Sequence, residues 1–453
     1  MRRFAPLLLA LLFLPATAEA HGFGQRYALP LPLDLFIAGG TAVVALSFVI
    51  VAMTLRQRAE PRPHPLGTLP HGLTIGLQAV SVSVFALTLL AGFIGTQNPY
   101  QNLTVVMVWV IGWVGFAFVS ALLGNWWTLL NPWSVIFAPV KSLALPYPDW
   151  LGRWPAFLLF FAFGWMENNW PGSGIPFNIS MVLGIYSLIT WTGMVLFGRK
   201  VWLEHGEIFA IVFSLFARFS PLNVEDDGQI AARAPGLALK SDRPADFSTV
   251  AFILLVLAVV TYDGFSETGL FQEIALAFYR RIDFLGISAV YVVSTVLIAA
   301  VPLIFLAVYV LVAALVAICG GQANRAGDAA GLFITSIVPI AIAYHLAHYL
   351  SLLLIDGQNV IAIASDPFGY DWNLFGTADY HVDPQFLGAG FVWYFSLAAI
   401  VCGHVAAVYL AHGEALALYG TRSRALVSQV PMVLLMVGYT MVSLWIIAQP
   451  ITG

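Results

Sequence analysis

The residues best placed for chemistry in this chain are the two histidines of Tyr344-His345-Leu346-Ala347-His348-Tyr349. Residues three apart on a helix share a face, so both imidazoles can converge on one ion or one proton path. They lie inside an apolar stretch, 329–355, where ionisable side chains are costly and point to function. Counted back from Asp356 at ~1.5 Å per residue, His348 lies roughly 12 Å and His345 roughly 16 Å below the outer end of that stretch. A second apolar stretch ends in Thr261-Tyr262-Asp263-Gly264, which carries Asp263 toward the same side as an acidic partner. A His/His/Asp set with an open position suits a divalent metal, zinc or copper. Such an ion would lower the pKa of bound water toward ~7 and polarise a phosphoryl or carbonyl oxygen.

Other candidates surround this pair. The segment 356–388 holds Asp356, Asp366, Asp371, Asp379, Asp383 and His381 and no Lys or Arg. Its Phe368, Tyr370, Trp372, Phe375 and Tyr380 give it something to bury, so it reads as a folded outer loop and a lid over the histidines. His381 is then a further ligand or a general base, as is Asp263. Glu167 is a supporting group. His404 reads as a hydrogen-bonder within the bundle and His412 as interfacial, with a proton relay as the other reading. Asn125-Trp126-Trp127 and Asn131-Pro132-Trp133 read as an interfacial aromatic belt.

The elements that must position these groups are transmembrane helices. Of 453 residues 60% are hydrophobic and 9% charged, against roughly 25% charged in soluble domains, which excludes a soluble enzyme. A net charge of −4 without a long basic run gives no footprint for nucleic acid. Two cysteines, Cys319 and Cys402, in or beside apolar runs supply neither a disulfide framework nor a CxxC site. Spans of about 20 residues fall near 32–54, 73–95, 103–123, 178–198, 248–268, 289–317, 329–355, 390–411 and 427–448. A shorter tenth lies near 151–166. The fold class is therefore an all-α polytopic bundle of about ten spans.

Residues 1–20 have the basic start, apolar run and Ala18-Glu19-Ala20 of a cleaved signal peptide, so the mature chain is expected to begin at His21 outside the cytoplasm. Orientation by basic residues agrees: fourteen Lys and Arg fall on inside segments and Arg26, Arg280 and Arg281 on outside ones. This predicts a multi-pass membrane protein whose mature N-terminus lies outside the cytoplasm. Its parts are an N-terminal half at 21–217, a flexible cytoplasmic connector at 218–247 and a C-terminal half at 248–453. An N-terminal His21 can chelate a metal through its amine and ring, as in a copper histidine brace.

The start His21-Gly22-Phe23-Gly24-Gln25-Arg26-Tyr27 through Leu31-Pro32-Leu33, the Asn131-Pro132-Trp133 stretch and the Tyr344–Tyr349 segment with Asp356-Gly357-Gln358 form a recognisable set. It is completed by Asp366-Pro367-Phe368-Gly369 and Trp372-Asn373-Leu374-Phe375-Gly376-Thr377. Together they resemble the bacterial integral membrane fenitrothion hydrolases, which act on organophosphorus triesters. The resemblance runs from the first mature residue to the ninth span and implies release of a nitrophenol from a phosphorothioate triester. It assigns no catalytic residues.

The expected function is a membrane-embedded, metal-dependent hydrolase whose site opens to the periplasmic face. His345 and His348 are expected as ligands, Asp263 and His381 as ligands or base, and His21 as an added ligand. Its partners are the lipid bilayer and a small apolar substrate; a partner subunit is left open. G-x-S-x-G, H-E-x-x-H and P-loop patterns are absent. Two alternatives stand beside this reading: a copper-binding membrane protein built on the His21 brace, and a proton-coupled permease.

Overall fold

The computed structural model describes residues 32–56, 60 and 62–449. The signal peptide, its cleavage before His21, and His21 itself lie outside the described residues. Of the described residues 75% are helical, and among them nine helices are long and apolar enough to cross a membrane. In chain order these are α1 (Leu33–Thr54), α2 (His71–Ile94), α3 (Leu103–Leu123), α5 (Pro176–Phe197), α7 (Phe247–Ser266), α8 (Ser288–Cys319), α9 (Ala323–Leu354), α10 (Ala389–Tyr419) and α11 (Arg422–Ala448). Two shorter helices complete the numbering, α4 (Trp154–Asn169) and α6 (Ile208–Ala217). The protein is thus an α-helical, multi-pass membrane bundle.

The tenth expected span corresponds to α4. At 16 residues it is short, yet it runs the length of α7. At one end the Arg153 backbone and guanidinium bond to Ser248 and Thr249 at 2.7 and 3.1 Å; at the other, Tyr262 donates to Asn169 at 3.1 Å. Phe160 packs on Phe252 between these points. The half-length α6 has no counterpart in the hydropathy reading, because ten residues are too few to span.

Two helices form the centre. In α7 and α9, 89% of the most apolar window is buried, against 17–44% in the other spans. A helix that is apolar on all sides must be enclosed by protein or by lipid, and here neighbouring helices enclose these two. The central α7 packs on α4, α8 and α9, and α9 packs on α10. Across the two expected halves, α1 packs against α10 and α11.

Local sequence sets the ends of these helices. Asp246 caps α7 through the Thr249 amide at 2.7 Å. Asn102 caps α3 through Thr104 at 2.9 Å and ties back to the carbonyls of Ala91 and Thr96. Side-chain caps of this kind satisfy amides that the helix cannot. Within α3 the stretch Val106–Gly115 is wound as a π-helix, a form often found at functional sites.

The ends of the bundle differ. One end carries the 356–388 loop; the other carries the segment between α6 and α7. That connector is folded rather than flexible. Its strands β2 (Leu222–Val224) and β3 (Gln229–Ala232) pair antiparallel, and β3 also pairs with β1 (His64–Thr68). Arg233 ties the hairpin down through the Ala217 carbonyl at 2.6 Å and Asn223 at 3.0 Å.

The expected aromatic belt is partly core. Trp127, Asn131 and Trp133 are buried around Glu207, which is 0% exposed. Glu207 accepts hydrogen bonds from Tyr186 (2.6 Å), Asn131 (2.9 Å), Trp127 (3.4 Å) and the amides of Phe209 (3.1 Å) and Ala210 (2.7 Å). A charge-bearing side chain is tolerated there because both oxygens are saturated with donors.

Candidate functional site

The last turn of α7 delivers Asp263 to α9 within two turns of its loop end. One carboxylate oxygen, Oδ2, lies 3.0 Å from His348 Nε2 and accepts from the Tyr349 hydroxyl at 2.6 Å. The expected Asp263–His348 partnership is therefore present, and adjacent Tyr349 joins it. A carboxylate only accepts, so the imidazole donates from Nε2 and its lone pair resides on Nδ1. The Asp263 side chain is 5% exposed and that of His348 is 17% exposed, so one side of the pair is sealed and the other is accessible.

Gly264 permits this close approach. A Cβ at that position would lie 2.8 Å from the Tyr344 hydroxyl and 3.5 Å from His348 Cε1. The two histidines, although three residues apart, do not face one point. His345 is turned into an aromatic wall, its ring centroid 5.1 Å from Trp113, 5.9 Å from Phe216, 6.2 Å from Phe118 and 4.7 Å from Tyr349. Between these rings and Val256, Val259, Val260 and Ala341 runs a void too narrow for a water molecule.

Three carboxylates share this neighbourhood. Glu167 of α4, buried, lies within electrostatic reach of Asp263 and Tyr349. Glu267, just beyond α7, is held above the usual carboxylate range by burial and then by the Asp263 charge, against the pull of His348. Two buried polar atoms beside the pair, Tyr344 Oη and His345 Nε2, have no hydrogen-bond partner among the described residues. Each such atom costs about 1–3 kcal/mol if nothing pairs with it. Sequence reading missed Tyr349 and Trp113 as participants. Tyr349 was in plain view beside His348, whereas nothing in the apolar α3 sequence distinguishes Trp113.

The donor set does not fit the expected metal. Among the described residues no three His, Cys, Asp or Glu side chains converge as a metal's ligands. His348 and Asp263 engage each other, His345 faces aromatic rings, and His381 is exposed in the loop. His21, the remaining expected ligand, lies outside the described residues.

The acidic loop is folded, as expected, and its hydrogen bonds to distant parts of the chain run to the α2–α3 turn. Thr96 donates to the Phe368 carbonyl at 2.7 Å, Leu103 to Pro367 at 3.2 Å and Asn359 to Tyr100 at 3.0 Å. The Tyr370 hydroxyl donates to the Ile94 carbonyl, and Phe368, Tyr370 and Trp372 pack together. His412, read as interfacial, is 0% exposed and bonded to Gln429 at 3.1 Å.

Asp356 begins this loop, and burial pushes its carboxyl up to about 6. Its folded value exceeds the unfolded one, so its contribution to stability is complete below the ordinary carboxylate range and is lost as pH rises through about 6. Asp356→Asn should therefore raise the thermal midpoint in detergent at about pH 8 and leave it nearly unchanged at about pH 4. Equal shifts at both pH values would refute this.

Compared with models of known protein families, with curated proteins and with solved structures, the chain matches none. Fold and site together define a multi-pass α-helical membrane protein with a buried carboxylate–imidazole–phenol cluster near one end.

Proposed function

We propose that the protein is a membrane-embedded hydrolase of organophosphorus triesters. In this reading the loop end faces the periplasm of a bacterial inner membrane, the orientation favoured by the basic residues. The observation that carries the reading is the Asp263–His348 pair, whose histidine lies in one of the segments that carry the resemblance to fenitrothion hydrolases.

The chemistry follows from the pair. Asp263 fixes the His348 ring and stabilises the imidazolium that forms, and Nδ1 takes a proton from water as that water attacks phosphorus. A nitrophenolate leaves as a stable anion, so no general acid is required. The proton on Nδ1 then passes to solvent. An apolar triester partitions into lipid and reaches a site within the membrane sideways. No step here is routed through a metal.

The test is nitrophenolate release from a nitrophenyl phosphorothioate triester by detergent-purified protein, before and after chelation and metal readdition. Release is expected from the wild type and should fall to background in His348→Ala with helical content retained. Normal turnover in that variant removes the site from consideration. Chelator-sensitive release restored by one metal would replace the general-base route with a metal route using residues outside the described set.

A further inference from the structure

We propose that the bundle also conducts protons, along a file of buried polar side chains leading from the Asp263–His348 pair to the connector end between α7, α9, α10 and α11. Its first leg leaves the pair through Tyr344, whose hydroxyl and the edge of His348 share the bare face of Gly264. Tyr344 lies within electrostatic reach of both Asp263 and Tyr439. Two residues before Asp263 on α7, the Thr261 hydroxyl lies 2.6 Å from the Tyr439 hydroxyl, and either can be the donor. These hydroxyls come from three different helices.

The second leg reaches His404 on α10, whose ring centroid is 6.0 Å from that of Tyr439. Its Nδ1 donates to the Ile400 carbonyl at 2.8 Å, which fixes the tautomer and leaves the lone pair on Nε2. That nitrogen has no hydrogen-bond partner among the described residues, and His404 is 1% exposed. A histidine that served only to glue helices together would use this atom across an interface. Here the ring bonds its own helix and presents the other nitrogen.

The third leg follows α10 toward the connector. His404 and His412 are eight residues apart, roughly 12 Å along the axis. Gly403 lets α10 sit against α9, where an added Cβ would lie 2.7 Å from the Pro339 carbonyl and 2.3 Å from Ala343 Cβ. The two helices run antiparallel, so the next turns of α10 pass the 3-10 stretch Ile334–Ile337. That stretch brings the buried hydroxyls of Thr335 and Ser336. Beyond them His412 bonds Gln429 through Nδ1, and its Nε2 has no partner among the described residues. Glu414, two residues on, is buried and borders a cavity with Lys240 and Tyr409 that has room for about one water. Lys240 also pairs with Glu60.

Imidazoles and hydroxyls both accept and donate, so each carrier takes a proton on one side and releases one on the other. No atom other than hydrogen moves, and the membrane potential supplies the drive. The titratable groups facing its mouth are Glu167, Glu267, Asp263, His348, Tyr344 and Tyr349.

The full chain, reconstituted into liposomes with an entrapped pH-sensitive dye, should acidify the lumen when a potassium diffusion potential is applied with valinomycin. The rate should exceed that of protein-free vesicles. His404→Gln should lower it to the protein-free rate while leaving nitrophenolate release unchanged. Tyr439→Phe, which removes one hydroxyl and keeps the ring, should do the same and serves if His404→Gln fails to insert. Wild-type flux no greater than that of empty vesicles overturns the proposal, as does wild-type flux in inserted His404→Gln.

Discussion

Replacing Asp263 by Asn is expected to lower nitrophenolate release roughly 10⁴-fold with the chain still folded, the loss seen when an orienting carboxylate is removed from a histidine base. The substitution keeps the size, but His348 and Tyr349 share one carboxylate oxygen, so an amide NH₂ placed there has a hydrogen for each and the Tyr349 hydroxyl must turn to accept. What changes is the partner of His348 Nε2, 3.0 Å away. An amide NH₂ can donate to that nitrogen, which moves the ring proton to Nδ1 and removes the lone pair that would take a proton from water. The loss should therefore appear in kcat far more than in KM, because the base acts only in the transition state. A variant with unchanged kcat would show that the pair is structural and would defeat the general-base reading.

Glu207→Ala is expected to give the largest loss of stability. It leaves the Trp127 and Asn131 side chains, the Tyr186 hydroxyl and the amides of Phe209 and Ala210 without their acceptor. It also removes the cap of α6. At about 1–3 kcal/mol for each buried donor left unpaired, and with relaxation recovering part, the loss should be about 3–6 kcal/mol. Thermal unfolding in detergent would read this as a strongly lowered midpoint. Glu207→Gln, which keeps an acceptor oxygen, should be affected much less. If alanine and glutamine behaved alike, the carboxylate would not be the organising group.

Both predictions concern contacts that no local reading can supply. The apolar spans were legible because a bilayer imposes length and hydropathy on each segment separately, and α1, α2, α3, α5 and α7 to α11 lie within a few residues of the sequence-based spans, except the connector ends of α9, α10 and α11. Segment α4 was legible only as a short run. Its course beside α7 depends on Arg153 and Asn169 meeting partners more than ninety residues away. Glu207 precedes an apolar run as a helix cap should, yet its burial depends on Asn131 and Trp127, whose Asn-Pro-Trp stretch reads equally well as an interfacial belt.

The sequence by itself determined that this is a multi-pass helical membrane protein and that His345, His348 and Asp263 are its costly intramembrane groups, since hydropathy and helical period are properties of consecutive residues. Only the tertiary structure decided which of them meet. Spacing put His345 and His348 on one face, but the two rings end in different surroundings. Trp113 and Phe216 claim His345, while Asp263, brought by α7 across the Gly264 contact, claims His348. Side-chain direction on a helix is settled by what the neighbouring helices present, and that is fixed only when the bundle packs.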